Sequence, residues 1–125
     1  MAHAGRRGLA RGVLTEFLRT WKASFLTKAS DLVVSVSPGI CSTHYTVSLE
    51  DAKQFADWPN ACLQADDLVH LELRLVAMAQ LTAGGINPSQ VSVSPICTFE
   101  NMRYFSYRRD HPSTRQLQVG YLMRK

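Results

Sequence analysis

Apolar residues recur at three- and four-residue spacing near the start of the chain. The pattern runs through Ala10, Val13, Leu14, Phe17, Leu18 and Trp21. This spacing puts one apolar stripe on a helix, so it predicts an amphipathic helix over residues 9–22. We expect the following members of the stripe to face the core: Ala10, Val13, Leu14, Phe17 and Trp21.

Three short runs of β-branched or alternating residues predict strands. Residues 31–36 form the first run, which Ser37-Pro38-Gly39 ends as a turn. Val91–Val93 forms the second. Residues 117–123 alternate between apolar and polar positions and form the third.

Two further segments have helical signals. Ser48 and Asp51 form a capping box, which predicts a helix through about Trp58. Residues 67–83 alternate like a strand at first but also fit a helical spacing. We interpret them as one helix that Asp66 or Asp67 caps and that Gly84-Gly85 ends.

Interspersed helices and strands predict an α+β fold, a layered mixed β-sheet flanked by helices, in a single domain over residues 1–125. The three cysteines are widely spaced and lack a Cys-x-x-Cys pair, which is typical of reduced thiols and favours a cytoplasmic location. No apolar run approaches the roughly 18–20 residues that a membrane span needs, so we expect no membrane partner.

Charge is concentrated at the two ends of the chain. Residues 1–30 carry six Lys or Arg against Glu16, and residues 103–125 carry six against Asp110. The region between them has a net negative charge. Two basic ends indicate a nucleic-acid surface or, if they converge in the fold, a site for a small anion, and solvated surface charge is the simpler alternative.

The segment around Gly5, Arg7 and Gly8 precedes the first predicted helix. Glycines there would let an anion approach the free N–H groups, and the arginine would add positive charge. A disordered basic tail is the alternative interpretation. We expect Arg7 to meet Arg108 or Arg109 around a shared anion, because their charges alone would repel.

Metal-binding signals in the residues themselves are sparse. Cys41-Ser-Thr-His44 has ligand-like spacing, but a zinc site needs three or four donors. His3 is a single imidazole near the N-terminus. Cys97 follows a predicted strand and is interpreted as a buried thiol.

Several motifs together resemble the C-terminal half of the laccase-domain family, also called multicopper polyphenol oxidase-type or peptidoglycan-editing-factor proteins. The segment from His3 to Gly8 is similar to the family's His-Ala-Gly-Trp-Arg-Gly, with Arg6 in place of Trp. Other matching segments are Ser37-Pro-Gly-Ile40 with Tyr45-Thr-Val47, Glu72-Leu73 with Gln80-Leu81 and Gly85-Ile86, Cys97-Thr98 with Phe105-Ser-Tyr-Arg-Arg-Asp110, and Arg115-Gln116.

The resemblance implies a function in purine nucleoside metabolism. It implies metal-dependent phosphorolysis of adenosine or inosine, with adenosine deamination as a further activity, rather than multicopper oxidation. Purine nucleoside and phosphate would be the ligands. The family's zinc or copper ion has three ligands, of which only His3 carries over to this sequence; Gly5, Arg7, Gly8, Arg108 and Arg109 would bind phosphate or substrate.

One protein donor is too few to hold a metal, so we expect weak metal binding and no phosphorolysis from the chain alone. We expect the chain to be a C-terminal portion that an N-terminal half or a second copy completes. The alternatives are a non-catalytic remnant or assembly partner with an anion-binding surface, and a basic nucleic-acid-binding module.

Overall fold

A computed structural model of the protein describes residues 1–111. The α-helices in this range are α1 (Arg6–Ala10), α2 (Val13–Phe25), α3 (Leu49–Ala52), α4 (Leu73–Ala83) and α5 (Tyr107–Asp110). The strands are β1 (Val34–Val36), β2 (Thr46–Ser48), β3 (Cys62–Ala65), β4 (Leu68–Leu71) and β5 (Val91–Val93). This mixture confirms the predicted α+β class; the strand predicted over residues 117–123 lies outside the described range.

The described strands form two small sheets. β1 and β5 pair in parallel, with Val34 opposite Val91. β4 lies between β2 and β3 and is antiparallel to both. Because successive side chains of a strand face opposite sides, Val69 and Leu71 of β4 enter the core while His70 faces away from it.

The N-terminal helical prediction is confirmed in type but not in continuity. Gly12 takes a left-handed conformation, with φ of 71°, and separates α1 from α2. Leu9, Leu14 and Leu18 are the fully buried residues on these helices, and Ala10, Val13 and Phe17 pack against the core as predicted. Trp21 lies half-buried between two aromatic rings of its own helix. Its ring centroid is 5.9 Å from that of Phe17 and 4.4 Å from that of Phe25.

The side chain of Gln80 on α4 joins the two N-terminal helices across this break. Its Nε2 donates to the carbonyl of Leu9 at 2.6 Å, and its Oε1 accepts from the N–H of Leu14 at 3.3 Å. Gln80 is 2% exposed. The first N–H groups of a helix lack partners within the helix, and no side chain of Gly12 can supply one. Gln80 therefore caps α2 from a distant part of the chain.

The prediction of one helix over residues 67–83 is wrong in its first part. Residues Leu68–Leu71 form β4, which pairs on both edges, and α4 begins only at Leu73. Asp66 has φ of 51° in the hairpin turn, and Glu72 caps α4 by accepting the N–H of Arg74 at 3.2 Å. Burial of alternate residues between two strands outweighs the helical spacing.

The remaining local predictions are confirmed with shorter bounds. The hydroxyl of Ser48 accepts the N–H of Asp51 at 3.1 Å, as a capping residue does, but α3 ends at Ala52 and a 3-10 turn follows. The first predicted strand shortens to Val34–Val36, and Gly85, with φ of 92°, follows the end of α4.

The core lies between these elements. Its most deeply buried large side chains are Phe55, Leu9, Leu71, Ile86 and Val76. They come from α1, α4, β4 and two connecting segments, so the centre of the core lies between these helices and the antiparallel sheet. None of the helices within residues 1–111 has both the length and the apolar character that crossing a membrane requires.

Replacing Gln80 by leucine should destabilise the fold. Gln80→Leu keeps the approximate volume but leaves the buried N–H of Leu14 without its partner, so we expect the free energy of unfolding to fall by about 1–3 kcal/mol. Urea denaturation measures this change. Gln54→Leu is the control, since Gln54 is exposed, and equal losses in the two variants would contradict the capping role.

A methyl group on Gly84 should also be destabilising. An added Cβ would overlap Cδ1 of Leu18 where the end of α4 approaches α2. We expect Gly84→Ala to lower the free energy of unfolding by about 1–3 kcal/mol through overpacking. Gly39→Ala is the matched control, because no heavy atom lies within 4 Å of the corresponding Cβ. Thermal unfolding measures the stability of both variants. Equal stabilities would refute the close approach between Gly84 and Leu18.

Candidate functional site

His3 projects from an N-terminal segment that is packed against the core. Ala2 and Ala4 on either side pack against the core cluster, whereas His3 itself is exposed. A Cβ on Gly5 would approach Nε2 of His3 at 2.9 Å, and one on Gly8 would approach Cγ1 of Val13 at 3.3 Å. The two glycines thus permit close packing of this segment; their predicted role in anion binding stays a prediction.

The two basic segments meet at Tyr45. Arg6 of α1 forms an ion pair with Asp51. This carboxylate raises the pKa of the Arg6 guanidinium, and the Tyr45 hydroxyl contributes in the same direction. From α5, the guanidinium of Arg108 lies 5.0 Å from the centre of the Tyr45 ring and donates two hydrogen bonds of 3.1 Å to the carbonyl of Thr46.

The residue of the N-terminal segment with contacts at this junction is Arg6, and the expected meeting of Arg7 with Arg108 or Arg109 stays a prediction. Arg7 is exposed and forms no ion pair or side-chain hydrogen bond within residues 1–111. Asp51 and the face of the Tyr45 ring offset the positive charges of Arg6 and Arg108 at the junction.

Arg109, which was also predicted to bind phosphate, has a different set of contacts. Its guanidinium donates to the carbonyls of Thr98 at 2.7 Å, Phe99 at 3.0 Å and Tyr104 at 2.8 Å, and it pairs with Asp110 at 2.7 Å. These bonds hold the segment between β5 and α5 against α5. They favour a structural role, and a role in phosphate binding stays a prediction.

A second group of polar side chains lies where two turns meet. The turn Ser42–His44 carries His44 and is preceded by Cys41, and the segment after β5 carries Cys97 and Glu100. Nδ1 of His44 lies 3.3 Å from Sγ of Cys41, 3.9 Å from Sγ of Cys97 and 3.4 Å from Oε1 of Glu100. One ligand atom from each of the four residues lies within 4.8 Å of every other. We call this group the Cys–His–Glu cluster.

The thiols of the cluster differ in acidity. Burial by itself raises the pKa of Cys97, but the N–H of Cys41, the Cys41 thiol and the N–H groups of Glu100 and Phe99 outweigh it and lower the pKa to about 7. For Cys41, burial and the bond to Cys97 raise the pKa. Cys97 is therefore the thiol that ionises first, with Cys41 donating to it.

Neighbouring strands hold the turn of the cluster in place. Glu72 accepts the N–H of Ser42 at 3.2 Å, and Nδ1 of His70 lies 2.9 Å from the carbonyl of Ser42. The carboxylate of Glu72 also pairs with Arg74 at 2.9 Å. Burial opposes ionisation of Glu72, but this pair and the backbone donors outweigh burial and lower its pKa.

Within residues 1–111 His3 does not belong to a group of three or more candidate ligands, and the metal role that the resemblance implies for it stays a prediction. A protein-bound zinc or copper ion needs three or four donors. Within the described residues, the group of three or more candidate ligands is the Cys–His–Glu cluster, and His3 is not a member.

Half of the Cys–His–Glu cluster is visible in the sequence. Cys41 and His44 have ligand-like spacing in the sequence, and the prediction that Cys97 is a buried thiol is confirmed, but the sequence analysis did not place Cys97 in a site and missed Glu100. The two segments share one signal, because Cys97 and Glu100 have the same three-residue separation as Cys41 and His44. Two donor pairs of equal spacing could have suggested one joint site.

Comparisons with known proteins agree on one family. Residues 1–123 match the family described as multi-copper polyphenol oxidoreductase laccase. The chain is 30% identical over 122 residues to purine nucleoside phosphorylase Cj1217c of Campylobacter jejuni, covering 96% of this chain and 51% of that protein. It is 31% identical over 121 residues to purine nucleoside phosphorylase YlmD of Geobacillus stearothermophilus, covering 91% of this chain and 44% of that protein.

A structural likeness leads to the same family. The crystal structure of YlmD from Geobacillus stearothermophilus matches with a TM-score of 0.83 and 29% identity, over 90% of this chain and 44% of that one. The chain spans about half the length of the curated relatives it matches. With the family match over nearly all of its residues, the chain belongs to the multi-copper polyphenol oxidoreductase laccase family.

Proposed function

We propose that this chain supplies part of the phosphate- and nucleoside-binding surface of a purine nucleoside phosphorylase. The observation that carries the proposal is the convergence at Tyr45: its ring lies 5.0 Å from the Arg108 guanidinium, and Arg6, the neighbour of Arg7, has its pKa raised by Asp51 and also by Tyr45. Relatives named purine nucleoside phosphorylase support the substrate class. A compact junction of this kind suits a small anion better than an extended nucleic acid, which would need cations spread over a longer surface.

Phosphorolysis sets clear requirements for such a surface. A phosphate oxygen forms a bond to C1′ of the ribose while the bond from C1′ to the base nitrogen breaks. The base leaves with the electron pair and takes up a proton. The protein must therefore hold an anion close to the sugar, and positioned cations do this through charge-assisted hydrogen bonds.

Arg7 and Arg108 are the proposed phosphate ligands of this chain. Arg7 is exposed in the segment that also carries His3. Arg108 uses two N–H groups on the Thr46 carbonyl, and a guanidinium has five, so further donors remain for a ligand. The Tyr45 ring beneath Arg108 keeps the guanidinium plane in place.

The proposal assigns different roles to the other cations. Arg6 is paired with Asp51 and orients Tyr45, and Arg109 maintains the backbone that precedes α5. Residues 1–111 do not complete a metal site around His3, so a metal there would need ligands from outside this range.

Removal of Arg7 should weaken phosphate binding. We expect Arg7→Ala to reduce the affinity for inorganic phosphate at least about tenfold, since a charge-assisted hydrogen bond contributes about 1.5–3 kcal/mol. Calorimetry at low ionic strength measures this. Arg19→Ala removes the same charge from the exposed surface of α2 and is the control. Equal losses of phosphate affinity in both variants would indicate non-specific electrostatic attraction instead of a phosphate site. Nucleic-acid binding whose affinity falls steeply with salt would do the same.

Catalysis should require donors from outside the given sequence. We expect no release of free base from inosine or adenosine by the chain with phosphate alone, because His3 is the single carried-over ligand of the three that the resemblance implies. Addition of an N-terminal segment with the other two ligands should restore activity, and His3→Ala should abolish it. His111→Ala, which alters another exposed histidine, is the control. Phosphorolysis by the unaccompanied chain would contradict this expectation.

A further inference from the structure

The ligand atoms of the Cys–His–Glu cluster have the spacing of a metal coordination shell. Zinc bonds of about 2.3 Å to sulfur and about 2.0–2.2 Å to nitrogen or oxygen give tetrahedral edges of about 3.4–3.8 Å. The distances from Nδ1 of His44 are 3.3, 3.4 and 3.9 Å, and Sγ of Cys41 lies 3.9 Å from Oε1 of Glu100. The four atoms therefore need little movement to surround one ion.

The backbone brings the two halves of the cluster together without a metal. Gly39 and Cys97 form a parallel bridge, in which the N–H of Thr98 donates to the carbonyl of Gly39 at 3.1 Å. The N–H of Asn101 donates to the carbonyl of Cys97 at 3.0 Å and closes the turn that carries Glu100. The ring of His44 stacks on Phe99, with centroids 4.4 Å apart. Such support lowers the ordering cost of binding an ion.

From this geometry we propose that Cys41, His44, Cys97 and Glu100 form a zinc site that belongs to this chain alone and does not include His3. The donors are two sulfurs, one imidazole and one carboxylate, and each is a ligand type that zinc accepts in a tetrahedral shell. The thiol of Cys62 on β3 is not a member. The site goes beyond the proposed phosphorylase function and does not depend on it.

Charge around the cluster is compatible with this assignment. Two thiolates and a carboxylate exceed the charge of one divalent ion by one negative unit. Arg74 lies near enough to respond to both thiols: the bond to Glu72 is the main cause of its raised pKa, and Cys41 and Cys97 add to it. Because the guanidinium is already paired with Glu72, it screens the excess negative charge of the cluster without neutralising it.

One side of the site opens to solvent. Cys97 and Glu100 line a surface depression of about 450 Å³ together with Pro95, Ile96, Asn101 and Met102. The side chain of Glu100 is 60% exposed, whereas that of His44 is 28% exposed. Glu100 is thus the donor that water replaces most readily. We therefore expect its substitution to weaken zinc binding less than substitution of Cys41 or His44.

Zinc titration of the reduced, metal-free chain tests the proposal. We expect one zinc ion per chain in competition with a chromophoric chelator. Cys41→Ser and His44→Ala should each weaken binding by about 100-fold or more, and Glu100→Gln by about tenfold. Cobalt substitution should give thiolate charge-transfer absorption that Cys41→Ser diminishes. This proposal therefore predicts tight zinc binding by the cluster, in place of the weak metal binding expected when His3 was the only ligand considered.

Two control variants distinguish this site from zinc binding at His3 or at the Cys62 thiol. Cys62→Ser and His3→Ala should leave the zinc affinity unchanged, because neither residue lies in the cluster. Circular dichroism of each metal-free variant verifies its fold, and His44→Ala and Glu100→Gln avoid the buried Cys97. Loss of binding in His3→Ala, unchanged affinity in His44→Ala, or absence of stoichiometric zinc in the reduced chain would overturn the proposal.

Discussion

The placement of the N-terminal segment depends on the two hydrogen bonds of Gln80. They connect the carbonyl of Leu9 and the N–H of Leu14, on opposite sides of the break at Gly12, to the middle of α4. Without them, α1 would be joined to α2 through a glycine in a left-handed conformation and through apolar contacts. Apolar contacts tolerate sliding, whereas two directional bonds to one buried amide do not. The position of Arg6 next to Asp51 follows from this constraint.

The segment between β1 and β2 links the two candidate sites. Cys41 and His44 belong to the Cys–His–Glu cluster. Tyr45, the next residue along the chain, lies at the junction with Arg6 and Arg108. Ser42 anchors this segment through Glu72 and His70 of the neighbouring elements. The anchors are polar and satisfied, which is the condition for holding functional groups in a partly buried turn.

Local signals predicted the elements better than their limits or their assembly. The spacing of apolar residues identified the helical N-terminal segment, and Ser48 was correctly identified as a cap. The break at Gly12 could not be read from spacing, since an isolated glycine is also tolerated within helices. In residues 67–83 the strand and helical patterns overlapped, and only the pairing of β4 with two neighbours decided between them. The sequence motifs identified the family. They could not predict the hydrogen-bond partners of Arg109 or the contact between Cys41 and Cys97, because these depend on the tertiary structure.

The parallel pairing of β1 with β5 has a consequence for the order of folding. It brings Cys41 and Cys97, which are 56 positions apart in the chain, to adjacent turns. Closing so long a loop costs conformational entropy before any contact compensates for it, so this pairing is expected to form late. In the unfolded chain each donor pair stands alone, with two potential ligands instead of four. An ion that needs all four would recognise the native chain almost exclusively, and it would act mainly by slowing unfolding rather than by guiding the chain to its fold.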